Sequence, residues 1–227
     1  VALQEAITQW AAGRLDPGQS LTLYMFDHGR VDRFYLDGVS GELLSPQELD
    51  GWLDQLEAAV PGVAVNVIIE ACHCGSFIEA PQSLSGDGRV IIASTAPLAV
   101  AYASQTGAVF SDAFINWLKQ TPSLWTAFDE GVWGARLSHP DQVPWLDDTG
   151  NRLPNEVALD GRLAAQRAFA CTVNTPQENW PPHITGAAFE PLIGEQVRLW
   201  AAAQDDEQVA GVWSLIYPPS EQRPRSS

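Results

Sequence analysis

The feature that most constrains the fold is a long apolar, β-branched run over residues 63–69, which ends in Glu70-Ala71-Cys72. A run of this kind is typical of a strand that is covered on both faces of a sheet. Open α/β sheets bind their ligands just beyond the carboxyl ends of their strands. A carboxylate and a thiol at this end therefore indicate a functional site.

A second apolar strand, predicted over residues 21–26, leads directly into Asp27-His28-Gly29. A histidine near a cysteine removes the thiol proton and makes the sulfur a nucleophile, so His28 and Cys72 are a candidate base and nucleophile. They are far apart in the sequence and meet only if their strands are neighbours. The glycine lets the backbone approach a substrate closely, and the Gly29 and Cys72 amides are candidate donors to an oxyanion.

The segment between the two strands predicts a helix that connects them as parallel neighbours. Ser45 is the expected N-cap, Pro46 occupies the first helical position and Glu48 completes a capping box. An apolar stripe follows, and Pro61-Gly62 ends the helix. Strand, helix and strand in this order predict a crossover between adjacent parallel strands.

The rest of the first 140 residues extends the same pattern. Helical spacing is present over residues 3–11, 109–118 and 124–132, and a third buried strand is predicted over 90–93, ending at Ser94-Thr95. A segment over 33–36 predicts a short strand in a hairpin that flanks the histidine. The expected fold class is α/β, an αβα sandwich with a mainly parallel sheet.

Residues 139–155 lose this periodicity, and Asp147-Asp148-Thr149-Gly150-Asn151 is similar to the start of a calcium loop. Such a loop needs Gly at its sixth position and Glu at its twelfth, where this chain has Arg152 and Ala158. The sequence therefore favours a solvated loop over a metal site.

Composition limits the partners. The 12 basic and 28 acidic residues give a net charge of −16, which argues against a nucleic-acid or anionic-membrane partner. No apolar run has the length of a membrane span, and no basic and apolar leader is present.

Because the chain begins at Val1 without Met, we expect a processed product or a piece of something longer. Three cysteines, an odd count, argue against a disulfide framework. The compartment stays open, with an extracellular or cell-surface location favoured.

The expected domains are a first domain over residues 1–175, a linker over 176–182 and a partial β-rich module over 183–227. Residues 197–201 and 209–217 predict a hairpin joined by an acidic turn. The module is too short to close a core of its own, so it packs on the first domain or continues beyond the chain. Further β domains of the same polypeptide are therefore candidate partners.

Simpler interpretations exist for each candidate residue. A single cysteine at a strand end is more often a small core residue, and a single His-Gly is usually a turn. A zinc site at Cys72-His73-Cys74 is disfavoured, because adjacent ligands rarely reach one tetrahedral ion. His73 is expected to point away from Cys72, and His139 and His183 are expected in loops.

Two motifs nevertheless occur together. Phe26-Asp27-His28-Gly29, and Ile69-Glu70-Ala71-Cys72 followed by Gly75-Ser76, resemble the motifs of the legumain (asparaginyl endopeptidase) family of caspase-like cysteine peptidases. The resemblance covers residues 3–135 and favours a bacterial member of the family. It implies a caspase-like fold with His28 as general base, Cys72 as nucleophile and the Gly29 and Cys72 amides as the oxyanion hole. The chemistry it implies needs no metal or cofactor.

The chain departs from the family at two places. Cys74 stands where the family usually has Ser, although the spacing from Glu70-Ala71 favours Cys72 as the nucleophile. The family's first strand, with a pocket arginine, has no counterpart here. By the same resemblance Glu70 and Asp112 line the primary substrate pocket, and an acidic pocket favours Arg, Lys or Asn before the scissile bond. An equally good interpretation of Asp112 is a helix-start carboxylate.

Three functional hypotheses follow from the sequence. The first is a cysteine endopeptidase that cleaves a peptide or protein substrate through a thioester acyl-enzyme. The second is a transamidase, or a catalytically silent relative that acts as a binding protein. The third, an adhesion or scaffold protein whose αβα domain carries a β module, is disfavoured by the intact His28 and Cys72.

Overall fold

The computed structural model describes residues 2–37, 41–79, 81, 83–105 and 107–169, and the backbone of 183–191 and 197–204. The chain divides into two units, Val1–Thr172 and Val173–Ser227. Within the described residues, no helix is long and apolar enough to cross a membrane. The strands of the first unit are β1 (Ser20–Phe26), β2 (Gly29–Arg30), β3 (Arg33–Asp37), β4 (Glu42–Leu44), β5 (Ala64–Glu70), β6 (Arg89–Ala93) and β7 (Trp145–Asp147).

The main sheet has the strand order β1-β5-β6-β7. Strands β1, β5 and β6 are parallel, and β7 is antiparallel to β6. This is the mainly parallel sheet that the sequence predicts, and β1 and β5 are direct neighbours. The helices are α1 (Ala2–Glu5), continued by a π-helix (Ala6–Ala11), α2 (Pro46–Ala59), α3 (Ser76–Glu79), α4 (Val109–Leu118) and α5 (Leu124–Ser138).

Helices cover both faces of the main sheet, as the αβα prediction requires. Alternate residues of β5 enter different cores, because successive side chains of a strand point to opposite faces. Val67 and Ile69 pack with residues of α2 such as Leu53. Ile68, on the other face, packs with residues of α4 such as Phe114.

Helix α2 begins at the capping box that the sequence predicts. The Ser45 side chain accepts a hydrogen bond from Glu48 N, and the Glu48 side chain accepts one from Ser45 N. The Ser45 bonds hold the pKa of Glu48 below its usual value. Neighbouring residues therefore fix the position at which α2 begins. This favours one arrangement of the segment that connects β1 to β5.

The buried side chain of Arg89 joins α2 to the start of β6. It is 3% exposed and forms ion pairs with Asp50 at 2.6 Å, Asp54 at 2.6 Å and Glu57 at 2.7 Å. The three carboxylates lie on one side of α2, and their hydrogen bonds raise the pKa of Arg89 against the effect of its burial. The arginine therefore stays charged and binds the helix to the sheet.

A small antiparallel sheet, in the order β2-β3-β4, follows β1. Strands β2 and β3 are joined by the two-residue turn Val31-Asp32, in which Asp32 has a φ of 57°. Strand β3 is the predicted short strand, and it pairs with β2 on one side and β4 on the other, so His28 lies between the main sheet and the small one.

The prediction of a solvated loop over residues 139–155 is wrong for Asp147 and Asp148. Asp147 is the last residue of β7, and both Asp147 and Asp148 are buried. Backbone amides take the place of water: Asp147 accepts from Thr149, Gly150 and Arg152, and Asp148 from Gly161 and Ala164. In the described part of the chain, no three His, Cys, Asp or Glu residues are arranged to hold a metal ion.

The described part of the first unit ends with a single 3-10 turn, Ala164–Gln166. In the second unit, β8 (His183–Pro191) pairs antiparallel with β9 (Val197–Gln204), so His183 begins a strand and the prediction of a loop there is wrong. The predicted linker over 176–182 and strand over 209–217 lie outside the described residues.

Candidate active site

The pairing of β1 with β5 brings His28 and Cys72 to the same edge of the sheet. The last register pair of the two strands is Phe26 with Glu70, and His28 and Cys72 each lie two residues beyond it. Asp27 N donates to Glu70 O at 3.3 Å, so the two chains stay paired where the strands end. Both residues therefore leave the carboxyl edge side by side.

The next residue, Gly29, lies directly against the backbone of Cys72. A Cβ placed on Gly29 would lie 2.2 Å from the carbonyl oxygen of Cys72 and 3.0 Å from Ala71 Cβ. Real Cβ atoms do not approach other atoms so closely, and any larger residue would push the two segments apart. The glycine of the His-Gly motif is thus explained by this backbone contact.

The two side chains have different surroundings. His28 is exposed and Cys72 is half-buried, so neither is part of the core. The His28 ring packs edge-on against Tyr35 of β3, with ring centroids 6.4 Å apart, and the Cys72 thiol donates to Ala101 O at 3.8 Å. The imidazole is supported by the hairpin, and the thiol by the loop after β6.

Two amides of the site remain available to a ligand. Tyr35 N donates to His28 O, so Gly29 and Phe34 form a non-hydrogen-bonded pair and the Gly29 N–H points away from β3. Among the described residues, neither the Gly29 nor the Cys72 amide donates to a protein acceptor. Both amides lie beside the backbone contact between Gly29 and Cys72. Two donors to one oxyanion need to lie close together in this way.

The second thiol, Cys74, is in a different environment. It is 1% exposed, packs in the core beneath the sheet edge, and contacts Ser94 Oγ at 3.5 Å and Thr95 O at 3.7 Å. Burial raises the pKa of Cys74 to about 11. A thiol that is buried and protonated at neutral pH is a poor nucleophile.

The turn after Cys72 is built on the loop that follows β6. His73, with a φ of 62°, donates its amide to Ala99 O at 2.9 Å, and its ring Nδ1 lies 3.0 Å from Pro97 O. Gly75 is required for the same packing, since a Cβ there would lie 2.8 Å from Pro97 and Thr95 atoms. The His73 ring therefore contacts the loop that follows β6.

Glu70, predicted to line the substrate pocket, is 3% exposed at the end of β5. Its Oε2 accepts from Ser111 N at 3.0 Å and from Ser111 Oγ at 2.6 Å, and Tyr24 OH donates to Ser111 Oγ at 2.6 Å. Burial raises the pKa of Glu70, the Ser111 bonds oppose this, and the charge of Asp112 adds a small further rise. The first turn of α4 thus lies directly against this carboxylate.

Asp112, the other predicted pocket residue, is half-buried in the first turn of α4. Its Oδ2 accepts a hydrogen bond from Ser104 Oγ, and Gly107 N donates to that same hydroxyl at 2.8 Å. Asp112 therefore orders the loop before α4, and it is close enough to Glu70 to affect the pKa of that residue.

Sequence reasoning missed three contributions to this site. Tyr35 had no signal beyond its place in a predicted strand, and the alanine-rich loop around Ala99 and Ala101 had none. Ser111 has no signal in the sequence beyond its place beside Asp112, although it is the hydrogen-bond partner of Glu70.

No known family model and no curated protein matches the chain. Among solved structures, caspase-1 from Spodoptera frugiperda is 17% identical, with a TM-score of 0.46 over 65% of this chain and 67% of that one. A structural-genomics protein from Geobacter sulfurreducens is 19% identical, with a TM-score of 0.46 over 64% of this chain and 71% of that one.

Proposed function

We propose that this protein is a cysteine endopeptidase that hydrolyses peptide bonds with a Cys72-His28 dyad. The observation that carries the proposal is the register of β1 and β5, in which the cysteine and the histidine stand equally far beyond one strand pair. A thiol and an imidazole at the carboxyl edge of neighbouring parallel strands match the arrangement of a nucleophile and its base.

In the acylation step, Cys72 Sγ attacks the carbonyl carbon of the scissile peptide bond while His28 takes the thiol proton. The tetrahedral intermediate carries its negative charge on the former carbonyl oxygen. As it collapses, the imidazolium of His28 gives the proton to the leaving amine, the C–N bond breaks and a thioester with Cys72 remains.

In the deacylation step, a water molecule attacks the thioester and His28 accepts one of its protons. The carbon–sulfur bond breaks, the new acid leaves and the proton returns to the Cys72 sulfur. Both steps develop an oxyanion, for which the amides of Gly29 and Cys72 are the proposed donors. This role is supported by the availability of both amides beside one backbone contact.

The His-Gly and Glu-Ala-Cys motifs resemble those of legumains. This resemblance supports a preference for particular side chains at the position before the scissile bond. Glu70 and Asp112 are the proposed pocket residues, and two carboxylates favour a substrate side chain that carries a positive charge or donates hydrogen bonds. The expected substrates are therefore peptides with Arg, Lys or Asn at this position.

The test is hydrolysis of a set of fluorogenic peptides that differ only in the residue before the reporter. The parent protein is expected to cleave after Arg, Lys or Asn, and Cys72→Ala is expected to have no activity. Hydroxylamine added as a competing nucleophile measures transfer to an amine. Predominant transfer at low amine concentration would favour the transamidase, and absence of any turnover would contradict the proposal.

A further inference from the structure

The proposed nucleophile and base lie on two separately folded elements. Cys72 belongs to the turn between β5 and α3, whereas His28 leads into the small β2-β3-β4 sheet and rests on Tyr35 of that sheet. The distance between sulfur and imidazole therefore depends on how firmly the hairpin is held against the cysteine turn.

One buried hydroxyl group connects these elements. Ser76 Oγ accepts a hydrogen bond from Asp32 N in the β2–β3 turn at 2.8 Å, and it donates one to His73 O in the cysteine turn at 2.7 Å. Ser76 is 1% exposed, so removing its hydroxyl takes a buried partner away from both the Asp32 amide and the His73 carbonyl.

We propose that Ser76 is a positioning residue that holds the His28 hairpin against the Cys72 turn through its two hydrogen bonds. The inference rests on the proposed function, because it assigns Ser76 a role in the same reaction. Ser76 itself touches neither the substrate nor the reacting atoms in this scheme, and acts only through the placement of His28.

The conformation of the hairpin turn agrees with this role. Asp32 has a φ of 57°, a left-handed backbone conformation that aspartate adopts more readily than most residues with a side chain. Its amide is thereby directed at Ser76 Oγ. Ser76 is also the first residue of α3, where a serine hydroxyl bonds readily with the backbone three residues before it.

The contact between Gly29 and Cys72 explains why loss of the Ser76 hydrogen bonds is expected to affect catalysis. Because these backbones touch, a small outward movement of the hairpin separates His28 from Cys72 without unfolding either element. A displacement of about 1 Å in a catalytic group lowers the rate by up to about 100-fold. Substrate binding at the pocket depends on α4 and is expected to change little.

The experiment compares kinetics and amide exchange in four variants of the full chain. Ser76→Ala removes the hydroxyl, and the nearly isosteric pair Ser76→Thr and Ser76→Val differs only in retaining or losing it. Ser83→Ala is the matched control, because Ser83 is also buried and its hydroxyl accepts from Ser85 N outside the site. Hydrogen exchange at the Asp32 amide reports on the linkage directly.

We expect Ser76→Ala and Ser76→Val to lower kcat by about 10-fold to 100-fold with KM nearly unchanged, and to accelerate Asp32 exchange. Ser76→Thr should retain both properties better than Ser76→Val, and Ser83→Ala should change neither. Unchanged kcat in folded Ser76→Ala, or equal losses in the Thr and Val variants, would overturn the proposal.

Two other outcomes remain decisive. If the Ala and Val variants do not fold, the hydroxyl supports the whole fold and the proposed local role is wrong. If the parent protein cleaves no peptide, the proposed peptidase function fails. In that case faster Asp32 exchange in Ser76→Ala still supports the linkage between hairpin and turn, and unchanged exchange overturns it.

Discussion

Gly29 and Cys72 touch through their backbones, such that a Cβ on residue 29 would lie 2.2 Å from the carbonyl oxygen of residue 72. The contact joins the segment that carries His28 to the segment that carries the thiol. It also lies between the two amides proposed to bind the oxyanion. The site therefore depends on a steric condition that glycine alone meets.

Gly29→Ala is expected to separate the two segments and lower kcat/KM by about 100-fold or more. The matched control is Gly51→Ala, because Gly51 lies within α2 and a Cβ there meets nothing within 4 Å. This control should keep full activity and stabilise the fold by about 0.5–1 kcal/mol. Peptide hydrolysis and urea unfolding measure both, and full activity in Gly29→Ala would show that the contact is irrelevant to the site.

Asp112→Asn tests the proposed pocket. Asparagine still accepts a hydrogen bond from Ser104 but removes the negative charge, so the loop should stay ordered while recognition of a basic or amide side chain weakens. We expect kcat/KM for the preferred residue to fall by about 1–3 kcal/mol of transition-state binding, with little change in reactivity toward a small thiol reagent.

Asp87→Asn, at an exposed position away from α4, is the control for loss of one charge. An unchanged substrate profile in Asp112→Asn would mean that Asp112 is only a helix-start carboxylate. A preference of the parent protein for Asp before the scissile bond would lead to the same conclusion.

Arg89→Met is expected to lower the free energy of unfolding by about 1–3 kcal/mol, since it removes the charge-assisted hydrogen bonds to three partly exposed carboxylates of α2. Arg136→Met, at an exposed position in the last turn of α5, should change it by less than about 0.5 kcal/mol. Urea denaturation of both variants is the measurement. Equal effects would show that the buried ion pairs do not stabilise the fold.

Asp160 predicts a pH dependence of stability. It is 8% exposed, and burial raises its pKa to about 6, with Asp147 and Asp148 adding to the rise against the bonds from Glu156 and Asp148 amides. Because the folded-state pKa is above the unfolded value, stability is greatest below about pH 4 for this group and is lost as pH rises through 6.

The difference in unfolding free energy between the parent protein and Asp160→Asn isolates this group. Asparagine keeps an acceptor oxygen but does not ionise, so the parent should lose on the order of 2 kcal/mol relative to the variant between pH 4 and pH 7. A difference that does not change with pH would contradict the raised pKa.

Much of the fold could be predicted because local signals agreed with the tertiary structure. The apolar run before Glu70 indicated a strand covered on both faces, and the capping box at Ser45 fixed the helix that makes β1 and β5 neighbours. With those strands adjacent, the placement of His28 and Cys72 at one edge required no long-range information.

The failures concern residues whose role depends on distant partners. Asp147 and Asp148 are polar residues in a segment rich in turn formers, and only the fold supplies the backbone amides that let them be buried. Likewise, no sequence pattern predicts that Ser111 bonds to Glu70 or that Ser76 bonds to Asp32. Small hydroxyl residues fit too many environments for their partners to be predicted.

The central claim is that Cys72 is the nucleophile and His28 its base, and covalent labelling tests it most directly. Thiol-directed peptide probes ending in Arg, Lys, Asn or Asp are incubated with the parent protein, His28→Ala and Cys74→Ser, and the adduct is located by mass spectrometry. We predict a single adduct on Cys72, fastest with Arg, Lys or Asn, greatly slowed in His28→Ala and nearly unchanged in Cys74→Ser. An adduct on Cys74, or equal labelling rates in the parent protein and His28→Ala, would contradict the account.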